Sequence, residues 1–219
     1  MPNLDLEEHL WARGVRLVAG LDEAGRGAWA GPLVAGAVVL PPSAARCAAL
    51  HGIVQDSKVL RPEQREVAAR AIERVALGAA WGWVAPHEVD ALGLDRANRL
   101  AFRRALAVLP VSAEHLLLDY FSLPECPLPQ QAVVDGDGRS LSIAAASVIA
   151  KVARDRLMRI LDWLYPGFGL ARHKGYGTPA HRRLLAQRGP CHLHRRSFAP
   201  VRACLAEAEG AASARAPAK

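Results

Sequence analysis

Residues Leu21–Gly31 read LDEAGRGAWAG, and this stretch decides the fold together with the apolar runs on either side of it. Ahead of it, Val15–Leu21 is short and mostly β-favouring and reads as a buried strand; behind it, Leu33–Leu40 (LVAGAVVL) reads as a second. Between them sit adjacent carboxylates, Asp22 and Glu23. A charged pair at the end of an apolar strand is costly unless something compensates it, and a divalent cation is the natural compensation. The glycines of Gly25-Arg26-Gly27 let the backbone come close to a ligand, and Arg26 between them suits a phosphate. Neighbouring residues of a regular strand point to opposite faces. Either the strand therefore breaks at Glu23, or Glu23 contributes through its main-chain carbonyl, and the sequence leaves both open.

Working outward, Pro41-Pro42 closes the second strand. Gln55-Asp56-Ser57-Lys58 forms a polar turn before a helix over Pro62–Val75, which opens with Pro62 and carries Glu63 and Glu66 early. Gly78–Val84 reads as a third strand, and helix runs from Pro86 through Asp95–Leu109. Glu114–Tyr120 is an apolar strand that reaches Asp119, and Ala132–Val134 is a short strand leading into Asp135-Gly136-Asp137-Gly138-Arg139. A long helix follows from Ser142 to Leu164, then a short one near Pro179–Gln187 and a last one over Pro200–Ala208. Tightly joined early strands, later strands joined by helices, and a helical end favour an α/β domain with a mixed sheet. The expected organisation is an arm over 1–14 anchored by Leu10 and Trp11, a catalytic domain over 15–205 with a helical portion from about 166, and a disordered tail over 206–219.

Three apolar runs thus end in acids: at Asp22 and Glu23, at Asp119, and at Asp135 to Asp137. Ligands of open α/β sheets gather at strand ends, so these carboxylates can converge on one site. Oxygen donors without histidine or cysteine at metal spacing suit Mg²⁺ or Mn²⁺ rather than zinc. Two such ions, about 3.5–4 Å apart, clamp the attacking and leaving oxygens of a phosphodiester.

Composition agrees. The 219 residues carry a net charge of +7 and are 51% hydrophobic, enough for a full core, with a basic balance that leans toward a polyanion. The 4 cysteines form no CxxC and, without a signal-peptide pattern, read as free thiols of a reducing cytoplasm. No segment has the uninterrupted apolar length of a membrane span.

These blocks, LDEAGRG, Asp56-Ser57-Lys58, Leu118-Asp119, GDGRSLSIAAASVIAKVARD, HKGYGT and HRRSF, together closely resemble bacterial type 2 ribonuclease H, ribonuclease HII, in order from about Val18 to Arg202. The resemblance implies a ribonuclease-H-like, five-stranded mixed sheet flanked by helices, with a helical C-terminal segment. It implies an endonuclease that cuts the RNA strand of RNA–DNA hybrids and incises 5′ to ribonucleotides embedded in duplex DNA, leaving 3′-hydroxyl and 5′-phosphate ends. Position by position, Asp22, Glu23, Asp119 and Asp137 match the family's metal-holding acids. Gly25, Arg26 and Gly27 match the segment that reads the 2′-hydroxyl, the one group that marks RNA against DNA locally. Tyr176 matches the tyrosine that packs on the sugar 3′ to the cut, and Lys58 a contact to the nucleic-acid backbone. Asp135 adds an acid beside Asp137 that many relatives lack, and competes with it for the assignment. A monomer is expected. An N-terminal extra domain, as in type 3 ribonuclease H, is not expected before Asp22. A junction resolvase of the same fold class would share the acids without reason for the GRG and HKGY blocks, and a non-catalytic binding module would have no reason to keep four acids.

Lesser features carry structural readings. Ser147, Lys151 and Asp155 share one helix face, as a polar stripe or as a phosphate-facing lysine paired with Asp155. Ala144-Ala145-Ala146 reads as close helix-to-sheet packing, His173 as a hydrogen-bonding residue, and Trp29, Trp81 and Trp83 as core. Cys191-His192-Leu193-His194 with Cys204 fits no zinc-site spacing and reads as an exposed loop.

Overall fold

The computed structural model describes residues 1–55 and 60–214 of the chain. Asp56, Ser57 and Lys58 lie outside the described residues. In chain order the elements are α1 (Asp5–Ala12), β1 (Val18–Ala24), β2 (Leu33–Val39), α2 (Ala44–Cys47), α3 (Pro62–Val75), β3 (Gly78–Val84), α4 (Pro86–Leu92) and α5 (Leu94–Ala107). There follow β4 (His115–Asp119), β5 (Gln130–Val133), α6 (Gly136–Arg139), α7 (Leu141–Leu164), α8 (Leu170–His173), α9 (Pro179–Arg188) and α10 (Ala199–Ala214). One five-stranded sheet is ordered β3-β2-β1-β4-β5. β1, β2 and β3 form an antiparallel meander, and β4 and β5 add in parallel beside β1. The expected mixed sheet with flanking helices is the one found.

Each face of the sheet is covered by a different helix, and alternation along β1 assigns its residues. Ala19 and Leu21 bury against Ala97, Ala101 and Phe102 of α5. Gly20 faces the other way, where a side chain would overlap the backbone of Ser142 and Ile143 at the start of α7. Gly36 of β2, the register partner of Asp22, likewise abuts the carbonyl of Ala146. Glycines in the sheet and Ala144, Ala145 and Ala146 in the helix let α7 lie almost in backbone contact with β1 and β2.

The N-terminal helix belongs to the same body. Leu10 is buried, and so is Glu7, whose Oε1 accepts hydrogen bonds from the hydroxyls of Ser140 and Ser142 and from the Ser142 amide at 2.6–2.9 Å. Ser140 in turn caps α7 by accepting from the Ile143 amide. Glu7 ties residues that sequence separates widely, which is why periodicity did not single it out.

Three expectations need correction. β1 does not end at Leu21 but runs unbroken through Asp22 and Glu23 to Ala24, held in register by β2. Trp81 and Trp83 are not core: they are 41% and 48% exposed, on the outward face of edge strand β3, while Gly82 between them meets α5. The helix after Pro86 is two helices, broken at Gly93 with φ +76°. At the other end of the described residues, α10 runs to Ala214.

A Gly36→Ala substitution tests the close approach of α7. The added methyl must push the helix off the sheet, at a cost of about 1–3 kcal/mol, measurable as a lower urea midpoint with an unchanged slope.

Candidate active site

Parallel pairing aligns Leu21 with Leu118, so the next residues, Asp22 and Asp119, leave neighbouring strands side by side. Both point to the α7 face. Asp22 is 5% exposed and receives a hydrogen bond from Ser147 of α7, with Lys151 one turn further along contributing its charge. Asp119 accepts the amide of Gly136 at 2.8 Å, the first residue of α6. That contact brings α6 against the end of β4, and Asp137, the next residue, is buried while Asp135 is exposed in a left-handed turn with φ +52°. The two acids of the turn are therefore unlike in environment, with Asp137 the one carried inward.

Glu23 takes the opposite face, toward α5. It lies beside Asn98, which is fully buried and partly offsets the rise in its pKa although neither amide atom of Asn98 completes a hydrogen bond. Of the two possibilities for the tandem acids, the broken strand is excluded: the pair straddles the sheet.

Burial pushes the Asp22 carboxyl up to about 7, with the Asp119 charge adding to the rise and the Ser147 hydroxyl opposing it. Burial, reinforced by the Asp22 charge, pushes Glu23 up to about 8. The Glu23 Oε2 atom is buried with no hydrogen-bond partner. Asp22 and Asp119, neighbouring carboxylates that repel one another on the α7 face, are an oxygen donor set that fits a hard divalent cation. Among the described residues the acids are neighbours in charge rather than a closed metal cage.

The loop after β1 is the second half of the site. Gly25 has φ +88°, and the space a side chain would need there is filled by the guanidinium of Arg154. Gly27 is exposed with open space before it, so a ligand can reach its backbone. Arg26 lies over the Phe121 ring at 4.4 Å and pairs with Asp95 at 2.8 Å.

Two buried arginines stitch this loop from behind. Arg154 of α7 donates to the carbonyls of Pro32 and Ala30 and lies 5.2 Å from the ring of Tyr176. Arg195 donates to the carbonyls of Gly31 and Arg26. Burial, reinforced by the Arg154 charge, lowers Arg195 to about 9. The tyrosine's own loop is woven in by main-chain bonds: the amides of Trp29 and Ala30 both donate to Gly175, Gly31 to Leu193, and Arg195 to Trp29. Tyr176 itself is 42% exposed. Gly25, Arg26, Gly27 and Tyr176, far apart in sequence, thus belong to one braid.

Sequence reasoning missed Asn98, Arg154 and Arg195 as site-building residues. The two arginines lie inside the recognised blocks, but a buried arginine cannot be told from a surface one by residue type. Other assignments change. Asp155 is engaged by Arg65 at 3.0 Å, and Ser147 is fully buried against Asp22 rather than part of a solvated stripe. Leu193, His194 and Arg195 are buried, so this segment is not an exposed loop. His173 is the hydrogen-bonding residue expected, with both ring nitrogens engaged.

Sheet order, helix placement and acids at the ends of central parallel strands define an enzyme of the ribonuclease-H-like class. The ribonuclease H2 of Pyrococcus horikoshii superposes with a TM-score of 0.70 at 27% identity, covering 87% of this chain and 97% of that one. The family model described as Ribonuclease HII matches residues 19–201, and the chain belongs to that family. It is 54% identical over 200 residues to the ribonuclease HII of Chloroflexus aggregans, covering 91% of this chain and 94% of the relative. It is 52% identical over 196 residues to that of Thermus thermophilus, covering 90% and 92%. Its activity is that of a ribonuclease H, an endonuclease acting on RNA–DNA hybrids.

The raised acids set a pH dependence in the chelated protein. Asp22 and Glu23 hold their protons more tightly folded than unfolded, where an ordinary carboxyl releases its proton near pH 4. From there to about 7–8 the native state binds more protons, so stability falls as pH rises through the window and levels off above it. The loss is at most about 1.4 kcal/mol per pH unit for each acid. Thermal melts in EDTA at pH 5 and pH 8 should show this fall, and Asp22→Asn should reduce it and melt higher than the parent chain at pH 8.

Proposed function

We propose that the chain incises duplex DNA on the 5′ side of an embedded ribonucleotide and cleaves the RNA strand of hybrids, leaving 3′-hydroxyl and 5′-phosphate ends. The observation that carries this reading is the braid. The residues matched to 2′-hydroxyl recognition, Gly25, Arg26 and Gly27, continue the strand that bears Asp22 and Glu23 and are tied through Gly175 to the loop of Tyr176. Reading and cutting would then share one piece of backbone, so that a sugar seated on the loop would bring its 5′ phosphate toward the acids.

Asp22, Asp119 and Asp137 would hold Mg²⁺ or Mn²⁺ from the α7 face, with Glu23 contributing from the strand between the two faces. Bound there, a pair of divalent ions supplies charge neutralisation at the attacking and leaving oxygens of the phosphodiester. The chain's own residues do the rest. Ser147 orients the Asp22 carboxylate, and Gly136 orients that of Asp119. The open backbone at Gly27 receives the 2′-hydroxyl, Arg26 contacts phosphate, and Tyr176 packs on the sugar 3′ to the cut. Lys58 is proposed as a further backbone contact. The proposed setting is a monomer acting in the cytoplasm.

A labelled duplex with one ribonucleotide, incubated with Mg²⁺ or Mn²⁺, tests the reading. The parent chain should make a single cut 5′ to the ribonucleotide and leave an all-DNA control intact. Asp22→Asn should lose at least about 10³-fold in rate, in line with removal of a principal electrostatic group. Cuts in the all-DNA control would instead indicate a resolvase-like enzyme.

Arg26→Ala separates recognition from chemistry. It should raise KM for the single-ribonucleotide duplex about tenfold with a smaller change in kcat, as loss of binding shared by ground and transition states does.

A further inference from the structure

Behind the tyrosine lies a group of imidazoles that the site chemistry leaves unused. His173, His181 and His194 are 8%, 0% and 2% exposed. The rings of His173 and His181 stack at 4.1 Å and 11°, and His181 and His194 meet Nε2 to Nε2 at 3.1 Å. Hydrogen-bond logic assigns every proton. The Cys191 amide donates to Nδ1 of His194 at 3.0 Å, so that ring carries its proton on Nε2 and donates it to Nε2 of His181. His181 then carries its proton on Nδ1 and donates to the carbonyl of Tyr176 at 3.0 Å. Separately, the Gly175 amide donates to Nδ1 of His173, whose Nε2 proton goes to the Phe168 carbonyl at 2.6 Å.

The chain Cys191 amide, His194, His181, Tyr176 carbonyl works only with both imidazoles neutral. Burial does most to keep them so, lowering His181 and bringing His194 down to about 4. The neighbouring imidazoles reinforce it, since a charge on His173 opposes one on His181, and charges on His181 and His173 oppose one on His194. The Arg182 guanidinium lies over Trp29, which packs on His181, and that of Arg188 lies over Phe168, which packs on His194. The network grips the backbone of the tyrosine at both ends. The Tyr176 amide donates to the His173 carbonyl at 2.9 Å, while its own carbonyl takes the His181 proton. Such grip is needed because Lys174 and Gly175, just before, are both left-handed, with φ +52° and +78°.

We infer that His181 and His194 are positioning residues for Tyr176: a two-imidazole relay, locked in one tautomer, aims the tyrosine at the substrate sugar. This rests on the proposed role of Tyr176, and the test separates the two. Asparagine places an amide donor where Nδ1 of histidine stands, whereas glutamine places one where Nε2 stands. His181→Asn therefore keeps the bond to Tyr176, and His181→Gln loses it while remaining polar.

The experiment measures kcat and KM on a single-ribonucleotide duplex, Mn²⁺ affinity by calorimetry, and the ring resonances of ¹³C-labelled tyrosine. His181→Gln should lower kcat/KM about tenfold, the scale of a modest misplacement, and shift the Tyr176 ring signals. His181→Asn should restore most of both, with Mn²⁺ affinity within about twofold of the parent throughout. In a Tyr176→Ala background, His181→Gln should cost nothing further. An additive cost, equal behaviour of the asparagine and glutamine variants, or a parallel loss of Mn²⁺ affinity overturns the inference. If Tyr176→Ala alone leaves the kinetics intact, the tyrosine's assigned role is wrong, and the ring signals then decide the relay: unmoved in His181→Gln, they overturn it.

Discussion

Everything in this molecule depends on how closely one helix can approach a sheet. α7 lies against β1 and β2 at a distance set by backbone rather than side chains, because Gly20 and Gly36 present no Cβ and Ala144–Ala146 present small ones. Only at that distance does Ser147 reach Asp22, and only then does Arg154, two turns along the same helix, reach the carbonyls behind the glycine loop. One close contact therefore positions Asp22 at one point of the helix and the glycine loop at another. Interiors packed to this density transmit small displacements rather than absorb them, so the acid and the loop are mechanically joined.

The second organising feature is electrostatic. On one side of the loop stand acids whose charge is held back by burial and mutual repulsion. On the other stand Arg154 and Arg195, buried and satisfied by carbonyl oxygens rather than by carboxylates. A buried guanidinium bonded only to neutral acceptors keeps its field. The loop thus lies between a negative corner suited to cations and a positive backing suited to phosphate, which is the polarity that a metal-assisted cut in a polyanion calls for.

Much of this was legible in the chain, and the reasons are specific. Gly78–Val84 and Pro62–Val75 were readable residue for residue because glycine and proline punctuate them and the periodicity between is clean. The acids were readable because a carboxylate at the end of an apolar run is locally anomalous. Glu23 was harder, since only pairing with β2 keeps the strand going past two charges. Trp81 and Trp83 misled because tryptophan is apolar on average, whereas an edge strand with glycine and alanine facing inward leaves its large residues outside. The roles of Glu7, His181 and His194 could not be seen at all: their partners are remote in sequence or are backbone atoms of turns, and neither leaves a periodic trace.

The braid also bears on how the chain comes into being. All four acids lie before residue 140, and the sheet and α7 are complete by Leu164. The glycine loop after β1 is held by Gly175, Leu193 and Arg195. During synthesis the acids can therefore assemble while the loop still lacks its fasteners. A nascent or truncated chain ending before residue 190 would carry the acids without the bonds from Leu193 and Arg195 that fix the loop. The segment from Gly175 onward works as a latch on that loop, added after the acids are in place.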